Sequence, residues 1–591
     1  MTSTPAINTA ALKEFATKSR TQLLDQMRVR IGQVLADSRT ELEHPTAVAL
    51  LKKAVTDRSI EAVTEEAAYT WFNRLTAARY MDVNGFSGMY RVVSPAEGSA
   101  SALPEVLAQA RAGNFDSNVG DEARQSVSDL LAGQRQSDNP DFEAYAILLR
   151  TVFHTWHSVL PSVFPASVDW VELLIPIDML TPTAVRALAV EVMDTVTCTD
   201  VEVVGWLYQF YISDRKDQIN DSKVKITAAE IGPVTQLFTP HWIVRYLVEN
   251  SLGRLWLRSK PKSELRSSME YYVEPVEGQA DDGVKVTGPE EIRLIDPACG
   301  SGHMLTYAFD LLYAIYEEEG YAPSDISRLI LTHNLVGTEI DPRAAQLASF
   351  ALTMKARGRD RRFFTRDIQP RIVLIEPLQF SNDDIDAIVT RFETTNSADG
   401  VDAGRIELLL RVFENADMTG ALIQVDADAV SALSHCVEVL GTGPNAIFTS
   451  HLEEPVRTLL HRASTLVDKQ YHVVVANPPY LGSGNMGSAL GEFSKANYPD
   501  SKSDTCVMFI ERSRDLITFG GSIAMVTMHS WMFLKSYARL RAGIPRWGFI
   551  NSMAHLGTRG FDQIGGEVVQ TTAFVIDKIP EKSHLGLYFR L

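Results

Sequence analysis

Ile292-Arg293-Leu294-Ile295-Asp296-Pro297-Ala298-Cys299-Gly300-Ser301-Gly302-His303 is the stretch on which the reading of this chain turns. A short apolar run ends at Asp296. Two glycines then permit backbone geometry and close approach denied to bulkier residues, and helix-compatible sequence follows from Met304 to Glu319. The stretch predicts a buried strand, a tight turn and a long helix. A helix N-terminus offers unpaired backbone N–H groups, and the missing Cβ atoms at Gly300 and Gly302 let a polar ligand lie against the chain. Taken alone, a Gly-x-Gly after a strand is equally an ordinary tight turn.

Working outward, Leu335-Val336-Gly337-Thr338-Glu339-Ile340-Asp341-Pro342 predicts a second strand with acids at its end, followed by a helix from Ala344 to Lys355. Strand, helix, strand, helix is the rhythm of a parallel α/β sheet. A carboxylate at the end of the second strand can accept hydrogen bonds from ribose hydroxyls, and Glu339 is the candidate. Its distance from the glycine turn is about twice the roughly 20 residues of a dinucleotide fold, which weakens a plain NAD reading. Capping of the next helix suits Asp341 better than Glu339.

A third strand, Tyr471-His472-Val473-Val474-Val475-Ala476, runs into Asn477-Pro478-Pro479-Tyr480. Two successive prolines fix the backbone and remove two donors, leaving carbonyl oxygens beside the Asn477 amide, with the flat face of Tyr480 close by. A rigid turn of acceptors next to an aromatic plate suits an amino group on a planar ring. Acceptors from Asn477 and Pro478 would hold the amine's two protons while Tyr480 stacks on the ring. Asn477 cannot ionise, so its role is acceptor and positioner, and alignment with a reactive sulfonium methyl would supply much of the rate.

Together, Asp296-Pro297-Ala298-Cys299-Gly300-Ser301-Gly302, Gly337-Thr338-Glu339 and Asn477-Pro478-Pro479-Tyr480 resemble the S-adenosylmethionine and catalytic motifs of amino-group DNA methyltransferases. Gln236-Leu237-Phe238-Thr239-Pro240, where Thr239 is expected to cap a helix beginning at Pro240, is similar to that family's N-terminal cofactor motif. Its place before the glycine turn gives the gamma-class order of type I and type IIG modification enzymes. Trp71-Phe72-Asn73-Arg74-Leu75-Thr76-Ala77-Ala78-Arg79-Tyr80-Met81 and Gly205-Trp206-Leu207-Tyr208-Gln209-Phe210-Tyr211 further resemble the PglX family of BREX phage-defence adenine methyltransferases.

The resemblance implies S-adenosyl-L-methionine as cofactor, held by Thr239, Pro240, Asp296, Ala298, Gly300 and Gly302, with Glu339 on its ribose and Ile340 against its adenine. The third motif's acid would be Asp367 or Glu376; Glu376, which ends the apolar run Ile372 to Ile375, is preferred. Asn477, Pro478, Pro479 and Tyr480 would carry the flipped target adenine. Phe561, in Gly560-Phe561-Asp562-Gln563-Ile564-Gly565-Gly566, would cover its other face unless it merely packs. The implied reaction is methylation of the exocyclic amine of adenine in DNA as part of phage defence. Its rivals are methylation of protein glutamine or RNA amines, and a non-catalytic DNA- or partner-binding component.

The expected fold class is α/β: a Rossmann-like S-adenosylmethionine-dependent methyltransferase sheet domain, a large mainly helical N-terminal region and a helical insertion. The expected divisions are a helical region over 1–230, cofactor motifs over 231–380, an acidic helical insertion over 381–465 and the catalytic motif over 466–591. A target-recognition region of the kind the resemblance implies is not visible before Leu591. Residues 381–430 carry eleven Asp or Glu against Arg391, Arg405 and Arg411, which suggests a face toward solvent or a protein partner.

At 591 residues and 45% hydrophobic content the chain can bury several cores, about four by length. Its four cysteines lie far apart with no C-x-x-C pair, which disfavours a disulfide framework or zinc knuckle and suits a cytoplasmic setting. No apolar run approaches a membrane span, so no membrane association is expected. A net charge of −18 excludes a generally basic coat, so double-stranded DNA would be met through local basic patches, with other BREX proteins as further partners. The densest such run is Lys355, Arg357, Arg359, Arg361, Arg362, Arg366 and Arg371, otherwise a solvated helix end. His154 and His157 share helical spacing but no third ligand is evident, so no metal is expected, and the aromatics around Trp206 read as core.

Overall fold

The computed structural model describes residues 7–222, 225–236, 239–279, 281–395, 401–440, 449–557, 570–580 and 584–591. The chain divides into two compact units, Met1–Arg215 with Ser349–Gln369, and Lys216–Ala348 with Pro370–Leu591.

The first unit is helical. Helix α1 spans Thr9–Ala36 and α2 spans Ile60–Val83. Apolar residues of α2 at helical spacing, Ala67, Trp71, Leu75 and Ala78, are fully buried. The Trp71 indole donates to the Val171 carbonyl at 3.0 Å, so even its polar atom is satisfied. Helix α3, Glu202–Ser222, supplies Tyr208 and Tyr211, whose rings meet Tyr69 edge-on at 5.5 and 5.4 Å. These aromatics are therefore core. His154 pairs with Glu172 at 2.8 Å and His157 with the Phe164 carbonyl at 2.8 Å. The two histidines thus have separate partners, and among the described residues no three metal-ligating side chains cluster.

Segment Ser349–Gln369 belongs to this unit for reasons of side-chain contact. Phe350 packs edge-on against Tyr80 at 5.9 Å, and Lys355 donates to Asp200 at 3.2 Å. Much of the basic run is consumed internally, because Arg357 lies over the Phe86 and Phe364 rings and Arg366 pairs with Asp360. Arg361 and Arg362 remain at the surface.

The second unit is built on one sheet: β1 (Leu294–Asp296), β2 (Leu335–Glu339), β3 (Ile372–Leu374), β4 (Tyr471–Ala476), β5 (Ile517–Met528), β6 (Phe549–Gly557), β7 (Thr571–Asp577) and β8 (Leu587–Arg590). Its order is β3-β2-β1-β4-β5-β7-β6-β8. Neighbours from β3 to β5 are parallel, β7 is antiparallel between β5 and β6, and β8 adds parallel to β6. The run Val473-Val474-Val475-Ala476 is wholly buried, as a strand covered on both faces must be. The chain builds outward from β1 to β3 and then returns to β4. The order reverses between β1 and β4, and that reversal opens a crevice at the carboxyl ends of the strands.

The return path is the acidic insertion, with helices α7 (Asn382–Thr395), α8 (Ala403–Arg411), α9 (Ala427–Leu440) and α10 (Glu453–Thr465), preceded by α4 (His241–Val248), α5 (His303–Glu318) and α6 (Pro342–Arg359). Ile388, Phe392, Leu409, Leu433 and Leu459 share one core with Val474 of the sheet. The insertion is therefore part of the sheet domain's hydrophobic interior, while none of its described acids is buried. No helix among the described residues is long and apolar enough to cross a membrane.

Candidate active site

β1 ends at Asp296, level with Gly337 of β2. Asp296 is buried, and its carboxyl accepts the Ala298 N–H at 3.1 Å, closing the turn. Gly300 (φ +55°) and Gly302 (φ +90°) both occupy the left-handed region. A Cβ on Gly302 would stand 3.1 Å from the Ala348 Cα, whereas one on Gly300 would meet nothing within 4 Å. Gly302 thus serves packing as well as conformation, and Gly300 leaves space open above the turn. Helix α5, His303–Glu318, follows at once, and its Thr306 N–H donates to the Gly302 carbonyl at 2.8 Å.

Glu339 ends β2 and clamps this turn. One carboxylate oxygen accepts the Gly300 N–H at 2.8 Å, and the other accepts the N–H groups of Ile340 and Asp341 at 2.8 and 3.0 Å. Asp341 instead accepts the Arg343 N–H at 2.9 Å, capping α6 (Pro342–Arg359). Ile340 is half-buried, and opposite it lies Gly420 (φ +50°) of the insertion, where a Cβ would stand 3.0 Å from the Ile340 Cγ2.

Burial pushes the Asp296 carboxyl up to about 8, with the Glu339 charge adding to the rise. Burial likewise raises Glu339 to about 7, against three backbone donors that favour its charged form. Carboxyls raised on folding stabilise the protein below their ordinary range, and that contribution is lost as pH climbs through the folded values. The ligand-free protein should therefore lose thermal stability between about pH 4 and 8, and Asp296→Asn should flatten the decline. Parallel curves for the two proteins in a pH series of thermal melts would contradict this origin.

The β1–β4 register pairs Ile295 with Val474, which carries Asn477 to the same carboxyl edge as Asp296. Asn477 Nδ2 donates to the buried Thr239 Oγ1 at 3.0 Å, joining the two motifs across 238 residues. Helix α4, His241–Val248, begins one residue later than expected, with Pro240 as its N-cap and no side-chain cap. The Pro240 carbonyl accepts the first helical N–H groups, from Ile243 and Val244, so Thr239 lies outside the helix and its hydroxyl is turned to Asn477.

Thr505, which opens helix α11 (Thr505–Leu516), braces the Asn-Pro-Pro-Tyr turn. Its hydroxyl donates to the Pro479 carbonyl and accepts the Leu481 N–H at 3.0 Å. The Pro479 carbonyl is thereby occupied, and no hydrogen bond to the Pro478 carbonyl occurs among the described residues. Tyr480 is half-buried, and its hydroxyl donates to the Val526 carbonyl of β5 at 3.1 Å. Burial holds that phenol well above its ordinary value, so it stays neutral.

Glu376 follows β3 at the same carboxyl edge, where Leu374 pairs with Glu339. Glu376 pairs with Arg462 of α10 at 3.2 Å, and its carbonyl accepts from the same guanidinium at 2.7 Å. Asp367 is exposed, has φ +49°, and lies in the helical unit. Phe561 and its loop lie outside the described residues.

The Eco57I restriction-modification methylase family matches residues 333–547. The chain is 38% identical over 568 residues to the adenine-specific methyltransferase BrxX of Escherichia coli O9:H4 (strain HS), covering 92% of this chain and 46% of that one. It is 33% identical over 641 residues to the adenine-specific methyltransferase PglX of Lacticaseibacillus casei (strain Zhang), covering 98% of this chain and 52% of that one. The chain thus spans about half the length of these curated relatives. Among solved structures, the type IIL restriction-modification enzyme MmeI in complex with DNA aligns over 99% of this chain and 59% of that one, at 11% identity and a TM-score of 0.45. Along nearly its whole length the chain is a homologue of the PglX and BrxX adenine-specific methyltransferases, with an Eco57I-type methylase domain in its second half.

Proposed function

We propose that this chain forms the cofactor-binding and catalytic part of an enzyme that methylates the exocyclic amine of adenine in DNA, using S-adenosyl-L-methionine, within BREX-type phage defence. The observation that carries the reading is the Asn477–Thr239 hydrogen bond, which ties the acceptor turn to the N-terminal motif at the carboxyl edge of β4. The similarity to two adenine-specific methyltransferases supports the choice of acceptor over glutamine or RNA.

The residues present fit the cofactor. Open space at Gly300, the start of α5 after the turn and an acidic group at the end of β2 together form a cradle for a polar, ribose-bearing molecule. Thr239, Pro240, Asp296, Ala298, Gly300, Gly302, Glu339 and Ile340 would hold it, and when bound it supplies a sulfonium methyl. With the Asn477 amide nitrogen engaged by Thr239, the Asn477 Oδ1 serves as acceptor for one amine proton and the Pro478 carbonyl for the other. Both acceptors are neutral, so they polarise the amine and fix its direction without a strong base. Tyr480 supplies the stacking face, anchored through its hydroxyl to Val526.

Tyr480→Ala should lower the methylation rate by about 10- to 100-fold, the effect of losing one base-stacking ring. Tyr480→Phe, which keeps the ring and loses only the anchor, should stay within about 10-fold of wild type. Steady-state kinetics on the full-length protein separates the two.

In this reading the segment 231–380 carries the cofactor, 466–591 carries the catalytic turn, and the acidic 381–465 insertion offers a face to another defence protein in the cytoplasm. DNA is met through local basic patches. Mass spectrometry of nucleosides from cells carrying or lacking the complete gene tests the activity. N6-methyladenine is expected only with the gene present, and unchanged adenine methylation would overturn the proposal.

A further inference from the structure

Between β5 and helix α12 (Ala538–Trp547) the chain makes a compact knuckle, His529 to Tyr537, of two short 3-10 turns. Its interior is firmly held. Trp531 is buried with its indole donating to the Thr527 hydroxyl at 3.0 Å, and Tyr537 is buried. Arg541 donates to the carbonyls of both Trp531 and Leu534 at 2.7 Å, pinning the two turns to each other. The His529 ring, hydrogen-bonded to His555 at 2.9 Å, meets Phe533 edge-on at 5.4 Å.

From this rigid base two large apolar side chains project into solvent, with Phe533 62% and Leu534 53% exposed. Adjacent exposed apolar residues on an otherwise well-anchored loop mark a contact surface. Their surroundings are basic. Residues His529–Trp547 contain Lys535, Arg539, Arg541 and Arg546 and no Asp or Glu, in a chain of net charge −18. The Arg539 side chain is 86% exposed, and Asp500 lies 3.8 Å away.

The knuckle is attached to the proposed catalytic turn. The Tyr480 hydroxyl rests on Val526, three residues and about 10 Å of strand before His529. Tyr537 is placed beside Ser503 and Asp504, next to Thr505, which braces Pro479. An apolar pair flanked by cations beside the turn proposed to take an unstacked base has the chemistry of a wedge that enters duplex DNA while the cations meet phosphates.

Resting on the DNA-adenine reading above, we infer that Phe533 and Leu534 form the element that fills the stack when the target adenine leaves the helix, with Lys535 and Arg539 on the flanking phosphates. The partner is duplex DNA, met beside the target base.

The test uses the full-length protein with S-adenosylmethionine and two duplexes, one fully paired and one with the target adenine opposite a mismatch. Phe533→Ala/Leu534→Ala should slow methylation of paired DNA by about 10- to 100-fold, because unstacking must then proceed without a wedge. On the mismatched duplex, where unpairing is easy, the loss should shrink to within about 3-fold. Lys535→Ala/Arg539→Ala should reduce the slope of log affinity against log salt by about 1 to 2. Equal losses on both duplexes, or no loss on either, would overturn the wedge; an unchanged salt slope would overturn the phosphate contacts. Absence of methylation by the wild-type protein would instead refute the activity on which the inference rests.

Discussion

Asn477→Ala is expected to abolish most DNA methylation, lowering the rate by about 10²- to 10⁴-fold, the range seen when a positioned acceptor or donor is removed from a reacting group. Cofactor affinity should change by no more than a few-fold, because the glycine turn and its Glu339 clamp do not involve Asn477. The variant removes two things together: the amide oxygen that would accept an amine proton, and the Nδ2 bond to Thr239. Thr239→Val keeps the acceptor and releases its anchor while also removing a hydroxyl from the proposed cofactor set, and at saturating cofactor it should cost about 10-fold or less in rate. Calorimetry with the cofactor alongside methylation kinetics reads both quantities. Equal losses of binding and rate in Asn477→Ala would place the residue in the cofactor site instead.

The glycines of the turn predict a second pair of contrasting results. Gly302→Ala must hold a Cβ at φ +90° and 3.1 Å from backbone, so stability should fall by about 1–3 kcal/mol. Gly300→Ala bears only the conformational cost, about 1 kcal/mol, since its Cβ meets nothing within the protein. Its Cβ would nevertheless enter the space assigned to the cofactor. Gly300→Ala should therefore lose cofactor affinity out of proportion to its thermal midpoint, and Gly302→Ala should lose both. Equal affinity of Gly300→Ala and wild type would remove that space from the cofactor site.

What was legible in the sequence follows from how buried parallel strands are written. Runs such as Val473-Val474-Val475 and Leu335-Val336 are continuous in apolar residues and end on glycine, acid or proline, so strand and turn can be read together. The Asn-Pro-Pro-Tyr turn and Glu339 stood out because their chemistry depends on residue type at one place. Contacts across long separations left no local mark. Nothing near Thr239 announces a bond to Asn477, and nothing near Thr505 announces that it braces Pro479. The role of Glu339 as a clamp on the Gly300 N–H was equally hidden, because a carboxylate ending a strand looks the same whether it binds ribose or backbone.

Domain borders were obscured for a related reason. Segment Ser349–Gln369 begins inside α6 with no break in its pattern, yet its Phe350 and Lys355 find partners in the N-terminal unit. The acidic insertion looked peripheral by charge, while its apolar stripe joins the sheet's own core. For Glu376 the apolar run marks a strand that stops at Leu374, two residues earlier, and the pairing with Arg462 depends on a helix 86 residues away.

The central claim is that the glycine turn after β1 and the Asn-Pro-Pro-Tyr turn after β4 serve one methyl transfer. A structure of the protein with a bound S-adenosylmethionine analogue tests it most directly. The account predicts the ribose hydroxyls at Glu339, and the methyl-bearing sulfur turned toward Asn477 and the Pro478 carbonyl. A cofactor bound elsewhere, or seated on the glycine turn with its sulfur facing away from Asn477, would contradict it.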